Sequence, residues 1–308
     1  MGIAISRRSF LASGLAAGAG SVLGGRFSGS AVETAGGRTG LPDLCVVSGT
    51  SYHGNTLKAV EGIGGIGRFV GRGSKVGLLI NHPFRSPGTH VNPEIALAVV
   101  KMCHEAGAQT VYDLKAAPFG YWQRSPVAKE LAGEIRALRS GGEYLVVEVP
   151  KGRFLKKGEI LKELLEVDVL INVSIAKDHE GTRFSGILKN MMGSAAYSTC
   201  RFFHSGHGKG GWYGDVDFLS QCVADINLLR RAELSISDCT ELVTTNGPFG
   251  PGKLARPQKI AAGVDPVALD AYCTRFLGLD PNAVSMIRLS AASGLGQADL
   301  RRMKIAEL

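Results

Sequence analysis

The residue types best suited to chemistry gather in one stretch, Lys177-Asp178-His179, with Ser185, Lys189 and Asn190 close behind. In an extended segment Lys177 and His179, two apart, project to the same side. A lysine beside a histidine favours the neutral imidazole, which suits an acid/base group or a metal ligand. Lys177 and Lys189 in one pocket would hold a carboxylate or a phosphate. His204 and His207 follow as H-x-x-H in a glycine-rich loop. Two histidines are an incomplete metal set, so a divalent metal there needs His179 or a carboxylate as well. Asp265 and Asp270 resemble a catalytic carboxylate pair, but five residues of helix leave them about 140° apart. Asp265 reads instead as a helix N-cap. For each of these residues the bland alternative is an ordinary charge on a solvated loop.

Such residues need elements to hold them. Apolar runs of strand length predict strands over 75–81, 110–114, 144–149, 167–175, 233–237 and 259–262. Helices are expected from Asn92-Pro93 to Gly107, from Ser125-Pro126, near 159–166, over 215–230 and after Asp265-Pro266. This alternation predicts an α/β fold, a largely parallel sheet with helices on both faces. Ligands of such sheets bind outside the carboxyl ends of the strands. Those exits deliver Asn81, His82 and Arg85, then Asp113 and Lys115, then Lys177 to His179, then Asp238. The candidate catalytic residues are therefore His179, Lys177 and Asp238, the last orienting a partner. Lys189, Asn190, Ser185, Asn81 and Asp113 are the candidate substrate contacts, and His204 and His207 the candidate metal ligands.

Several function classes drop out. There is no G-x-x-x-x-G-K-[ST], no G-x-G-x-x-G in a strand-turn-helix setting, and no G-x-S-x-G nucleophile elbow. The net charge is +8 over 308 residues, from 35 basic and 27 acidic side chains. No basic stripe interleaved with aromatics appears, so nucleic acid is not an expected partner.

The first residues read as an address. Ser6-Arg7-Arg8-Ser9-Phe10-Leu11 precedes a weakly apolar Ala/Gly/Leu stretch, and Gly29-Ser30-Ala31 offers a small-residue cleavage site. This is the pattern of a twin-arginine signal, which predicts a periplasmic or otherwise exported protein and the twin-arginine translocase as a partner. The apolar stretch is too short and too interrupted for a stable membrane span. The expected organisation is a signal over 1–31, a linker over 32–43 and one α/β domain over 44–308. The six cysteines are widely spaced and form no C-x-x-C, which favours core thiols, with one disulfide as the alternative.

Lys177-x-His179, then Thr182, Ser185 and Leu188-Lys189-Asn190-x-x-Gly193, resembles the central motif of the domain of unknown function 362 family. Three more blocks resemble it. They are the Asn81 exit with the helix ending Glu105-Ala106-Gly107-Ala108, Ser237-Asp238 leading to Asn246-Gly247-Pro248-x-Gly250, and 262–270. The resemblance implies a redox- or cofactor-linked protein. Relatives often carry a ferredoxin-like module, but this chain has no cysteine-rich segment, so an intrinsic iron–sulfur cluster is not expected. Asn81-His82-Pro83 stands where relatives tend to place Lys-Pro-Asn, and Asp178 and Ser185 where they tend to have Thr. The resulting expectation is a metal- or cofactor-assisted enzyme acting on a small anionic molecule. The alternative is a non-catalytic periplasmic binding protein for a carboxylate or phosphate.

Overall fold

The computed structural model describes residues 40–205 and 215–308. The expected signal segment, most of the expected linker and His207 lie outside the described residues. In chain order the elements are β1 (Leu44–Ser48), α1 (Tyr52–Gly62), β2 (Lys75–Ile80), α2 (Pro93–Glu105), β3 (Thr110–Asp113), α3 (Ala132–Ala137) and β4 (Arg139–Ser140). Next come β5 (Tyr144–Glu148), β6 (Lys157–Leu161), α4 (Lys162–Glu166), β7 (Val169–Ile175), β8 (Lys177–His179), β9 (Arg183–Ser185), α5 (Ile187–Asn190) and α6 (Tyr197–His204). The chain ends with α7 (Val216–Asn227), β10 (Leu234–Cys239), β11 (Leu242–Val243), β12 (Leu254–Ala255), β13 (Lys259–Gly263), α8 (Pro266–Cys273), α9 (Ser285–Ala292) and β14 (Ile305–Glu307).

β2 reads KVGLLI and β7 reads VLINVSI, and all but Lys75 are buried. Strands apolar on both faces belong inside a sheet covered on both sides. The main sheet has the order β14-β1-β13-β10-β7-β2-β3-β4. Its neighbours are parallel except where β13 runs against β1 and β10. Alternate side chains feed two cores. Leu78, Ile80, Ile171 and Val173 pack with α1 and α2 on one face. Leu79 and Leu170 pack with α5, α7 and α8 on the other.

From β2 the chain moves outward through β3 to β4, then returns to the other side of β2 as β7. The direction of winding therefore reverses between β2 and β7, which opens a crevice at their carboxyl ends. α2 starts there as its sequence predicts. Asn92 accepts the Glu94 N–H at 2.9 Å, and Pro93 occupies the first helical position. Gly107, at φ +82°, takes the left-handed conformation that closes the helix end.

Two sequence expectations need correction. The run at 144–149 is not an inner strand of the sheet: β5 pairs with β6 in a separate antiparallel ribbon, Tyr144 opposite Leu161. Its alternation leaves Val146 70 % exposed, which a strand covered on both faces could not tolerate. The helix expected near 159–166 starts only at Lys162, because β6 takes the residues before it. β1 and α1, where no element was expected, are also present. All six cysteines are free thiols, with Cys239 Sγ 3.5 Å from Cys273 Sγ. Among the described residues no helix is long and apolar enough to cross a membrane.

Candidate functional site

A cavity of about 370 Å³ occupies the crevice at the β2/β7 reversal. Asn81, His82, Pro83 and Phe84 reach it from the exit of β2, and Lys115, Ala116 and Pro118 from the exit of β3. The β8–β9 hairpin contributes Lys177, His179 and Ser185, and α5 contributes Lys189 and Asn190. Leu79, Ile80, Met192, Gly193, Cys200 and Pro248 complete the walls.

The hairpin follows β7 directly and places Lys177 opposite Ser185. Lys177 is only 1 % exposed. Its ammonium donates to the Thr89 carbonyl and, at 3.4 Å, to Asn81 Oδ1, and it lies 4.0 Å from the centroid of Phe84. Burial, and then the charge of Lys189, push its pKa well below the usual lysine range. The two oxygens and the ring face act the other way, since each favours the ammonium.

α5 is a single turn, too short to hold itself. Polar side chains of the sheet and of neighbouring helices fix it. Asn172 and Ser174, both on β7, donate to the carbonyls of Ile187 and Gly186 at 2.9 and 3.0 Å. Asn227 of α7 donates to the Leu188 carbonyl at 2.9 Å. Asp270 of α8 accepts the Ile187 N–H at 2.7 Å. Asn190 spans the crevice floor, with its amide 2.8 Å from the Leu79 carbonyl of β2 and 2.8 Å from Asn172 Oδ1 of β7. The anchored turn carries Lys189, whose ammonium meets the thioether of Met192 at 3.5 Å. Burial lowers the Lys189 pKa to about 8.

His179 Nδ1 accepts the Gly181 N–H at 3.0 Å, which places the proton of the neutral ring on Nε2. Burial, followed by Lys189 and Lys177, pushes its pKa far below the usual histidine range, as the spacing predicts. His82 pairs with Asp113, Nε2 to Oδ1 at 3.0 Å.

The structure thus brings Asn81, Lys177, His179, Ser185, Lys189 and Asn190 to one cavity. Asp113 stands behind His82 and does not line the cavity. Asp238 lies elsewhere: it accepts the Asn92 N–H at 2.7 Å and the Thr240 N–H at 2.9 Å, tying β10 to the start of α2. Burial raises its pKa against those hydrogen bonds. His204, on α6, donates Nδ1–H to the Cys200 carbonyl at 2.8 Å and is not a cavity-lining residue. Among the described residues no three His, Cys, Asp or Glu side chains converge as a metal site.

Sequence reasoning placed His82 and Lys115 at the strand exits without giving them a role, and did not single out Phe84 or Cys200. His82 and Lys115 carried a signal, since both directly follow strand exits. Phe84 and Cys200 carried none, because only the fold brings them to the cavity.

The family model described as Domain of unknown function (DUF362) matches residues 76–275. This chain belongs to the DUF362 family. The matched DUF362 segment includes every cavity-lining residue, from Leu79 to Pro248. The chain is also 27 % identical to a thylakoid-associated protein of Synechocystis sp. over 280 residues, which covers 83 % of this chain and 80 % of that one. Two solved structures share 15 % identity with it. A Thermotoga maritima protein matches 80 % of this chain with a TM-score of 0.42, and the lactate racemase apoprotein from Thermoanaerobacterium thermosaccharolyticum matches 71 % with a TM-score of 0.45. The chain spans 60 % and 54 % of those two proteins.

Proposed function

We propose that the cavity at the β2/β7 crevice binds a small anionic molecule, and that the protein is an enzyme acting on it. One observation carries the reading. Lys115, Lys177 and Lys189 line the cavity together with His82 and His179, and no described carboxylate lines it. Three lysines with no carboxylate among the described lining residues, in a site with an apolar wall, are held ready for an anion that supplies the missing charge. In this reading Lys177 and Lys189 hold the anion, while Ser185, Asn81 and Asn190 orient it. His179, as a neutral imidazole, donates a hydrogen bond from Nε2–H to a developing negative charge without losing the proton.

Titration calorimetry with acetate, succinate and inorganic phosphate tests the anion site. Binding that falls at least tenfold in Lys189→Met supports it, and absence of binding to all three overturns it. The variant His179→Gln separates an enzyme from a pure binder: it loses turnover and keeps most of its affinity. A protein with no turnover to lose, and unchanged affinity in that variant, belongs to the binding class.

A divalent metal or a redox cofactor is the further part of this proposal. A metal held by His204 and His207 needs at least one ligand more. Metal analysis and an absorbance spectrum on anaerobically purified protein, repeated for His204→Ala, decide it. The twin-arginine pattern at Arg7-Arg8 supports export, and fractionation of cells carrying Arg7→Lys/Arg8→Lys tests that location.

A further inference from the structure

The lysines account for the charge of a ligand and not for its body. A cavity of about 370 Å³ falls among sites that enclose whole organic ligands, roughly 300–1,000 Å³. A carboxylate or phosphate held by Lys177 and Lys189 leaves space beyond the charge. The lining changes character from one element to the next. The β8–β9 hairpin and α5 supply Lys177, Ser185, Lys189 and Asn190. The loops leaving β2 and β3 and the β11–β12 loop supply Pro83, Phe84, Ala116, Pro118 and Pro248. The polar groups among those loops are already engaged. Lys115 Nζ donates to the Tyr144 hydroxyl at 3.0 Å, Asn81 Nδ2 donates to Asn190 Oδ1 at 3.2 Å, and His82 pairs with Asp113.

Phe84 joins the two parts. Its ring centroid lies 4.0 Å from Lys177 Nζ, so apolar surface begins one contact away from the charge. The same ring meets that of Phe249 edge to face, with centroids 5.3 Å apart and planes at 80°. Phe249 directly follows the lining residue Pro248 and is 57 % exposed, and Pro83 is exposed as well. The strip therefore runs from the buried ammonium out to solvent, and covering it with an apolar group is favourable. It is also held in shape. The Val243 N–H donates to the Gly88 carbonyl at 2.9 Å, which ties the loop of Phe84 to the strand that leads into the loop of Phe249. Ala116 takes φ +51°, a left-handed conformation that a residue with a Cβ rarely adopts. Its N–H donates to the Asp113 carbonyl at 3.1 Å and the Ala117 N–H to Asp113 Oδ2 at 2.7 Å, which fixes the turn that brings up Pro118.

We propose that the cavity selects anions with an aromatic body close to the charge, the body lying against Phe84 and its outer end covered by Phe249. The proposal rests on the anion reading above. Lys177 and Lys189 recognise the charge, and the two phenylalanines recognise what the charge is attached to. A polar body of the same length gains nothing from this strip, since it gives up water for rings that offer it no hydrogen bond.

Matched pairs of anions test it by calorimetry: phenylacetate with acetate, 3-phenylpropionate with gluconate, and phenyl phosphate with inorganic phosphate. At least one aryl member is expected to bind about ten or more times tighter than its partner, with the more negative heat-capacity change. Phe84→Leu should reduce that ratio several-fold. Phe249→Ser, at an exposed position, should reduce the ratio of 3-phenylpropionate to gluconate about threefold or more. A second readout uses wild-type protein and so survives a variant that fails to fold. In protein labelled on the phenylalanine rings, the resonances of Phe84 and Phe249 should move with the aryl member and not with its partner. Equal binding within all three pairs, each weakened by Lys189→Met, overturns the role of the phenylalanines and leaves the anion site standing. An aryl preference that survives both Phe84→Leu and Phe249→Ser also overturns that role. Absence of binding to all six compounds overturns both.

Discussion

Asp270 accepts the backbone N–H of Leu188 at 2.9 Å, so a carboxyl on α8 caps the one-turn helix that carries the cavity lysine. The same carboxyl takes the Ile187 N–H, and both donors are buried. The helix gets its N-cap from 82 residues away instead of from its own preceding residue, Gly186. A Cβ on Gly186 would overlap Asp270 Oδ1, which explains the glycine there.

Asp270→Ala leaves two buried N–H groups without an acceptor. The expected loss is about 2–3 kcal/mol, read as a lower midpoint in urea unfolding. Binding of succinate should weaken in the same variant, because α5 loses its cap. An unchanged midpoint would show that the cap does not hold the helix.

Asp270 also gives stability a pH dependence. Burial raises its pKa from 3.8 to about 7. A group whose folded pKa lies above its unfolded value contributes fully below the unfolded value and loses that contribution as pH rises through the folded one. The share of stability owed to Asp270 should therefore fall between about pH 4 and pH 7. Urea melts across that range, compared with Asp270→Asn, should show the falling component in the native protein and not in the variant.

Lys189 should control how anion binding responds to alkali. Its pKa is lowered to about 8, so the ammonium is lost within reach of ordinary buffers. Succinate, whose carboxylates do not titrate in this range, should bind with constant affinity from pH 6.5 to near 8, then about tenfold more weakly per further pH unit. In Lys189→Met the affinity should be low and the slope absent. A slope that persists in the variant would assign the titration to another lysine.

The loop between β11 and β12 grips the β8–β9 hairpin through Gly247. Its N–H donates to Asp178 Oδ2 at 2.8 Å, and its carbonyl accepts the Glu180 N–H at 3.1 Å. A Cβ there would overlap the Asp178 carbonyl. Gly247→Ala should push the loop off the hairpin and weaken succinate binding at least tenfold, although residue 247 itself does not line the cavity. Equal affinity in the variant would show that the hairpin holds Lys177 and His179 without the loop.

The strands that frame the site were legible because each is an apolar run of the right length. β2, β3, β7 and β10 all lie within a few residues of their expected limits. β1 was not legible: its five residues pair with β13 and β14, more than 200 positions away. β5 misled because an alternating run and an inner strand share residue types, and only the pairing with β6 separates them. The cavity lysines and His179 could be read from one motif, and their convergence on one strand edge followed from the α/β pattern. Asp238 shows the limit of that rule. It leaves its strand where a site residue should, yet backbone amides consume both its oxygens. In the sequence Asp270 stands only as a carboxylate partner of Asp265 and Asn172 does not stand out, because nothing local reveals that α5 lies over them.

The Asn190 amide reaches the main chain of β2 and, through Asn172, the side chains of β7. The residue next to Lys189 is thus riveted to both banks of the crevice, with no hinge between the lysine and the sheet. A lysine mounted this way has little slack to give up when an anion arrives. The entropy of ordering that part of the cavity was spent during folding, so a ligand bound there would lose mainly its own freedom. On the proposed anion reading, recognition would work by template: an anion whose charge falls at the wrong distance from Lys189 could not draw α5 toward itself.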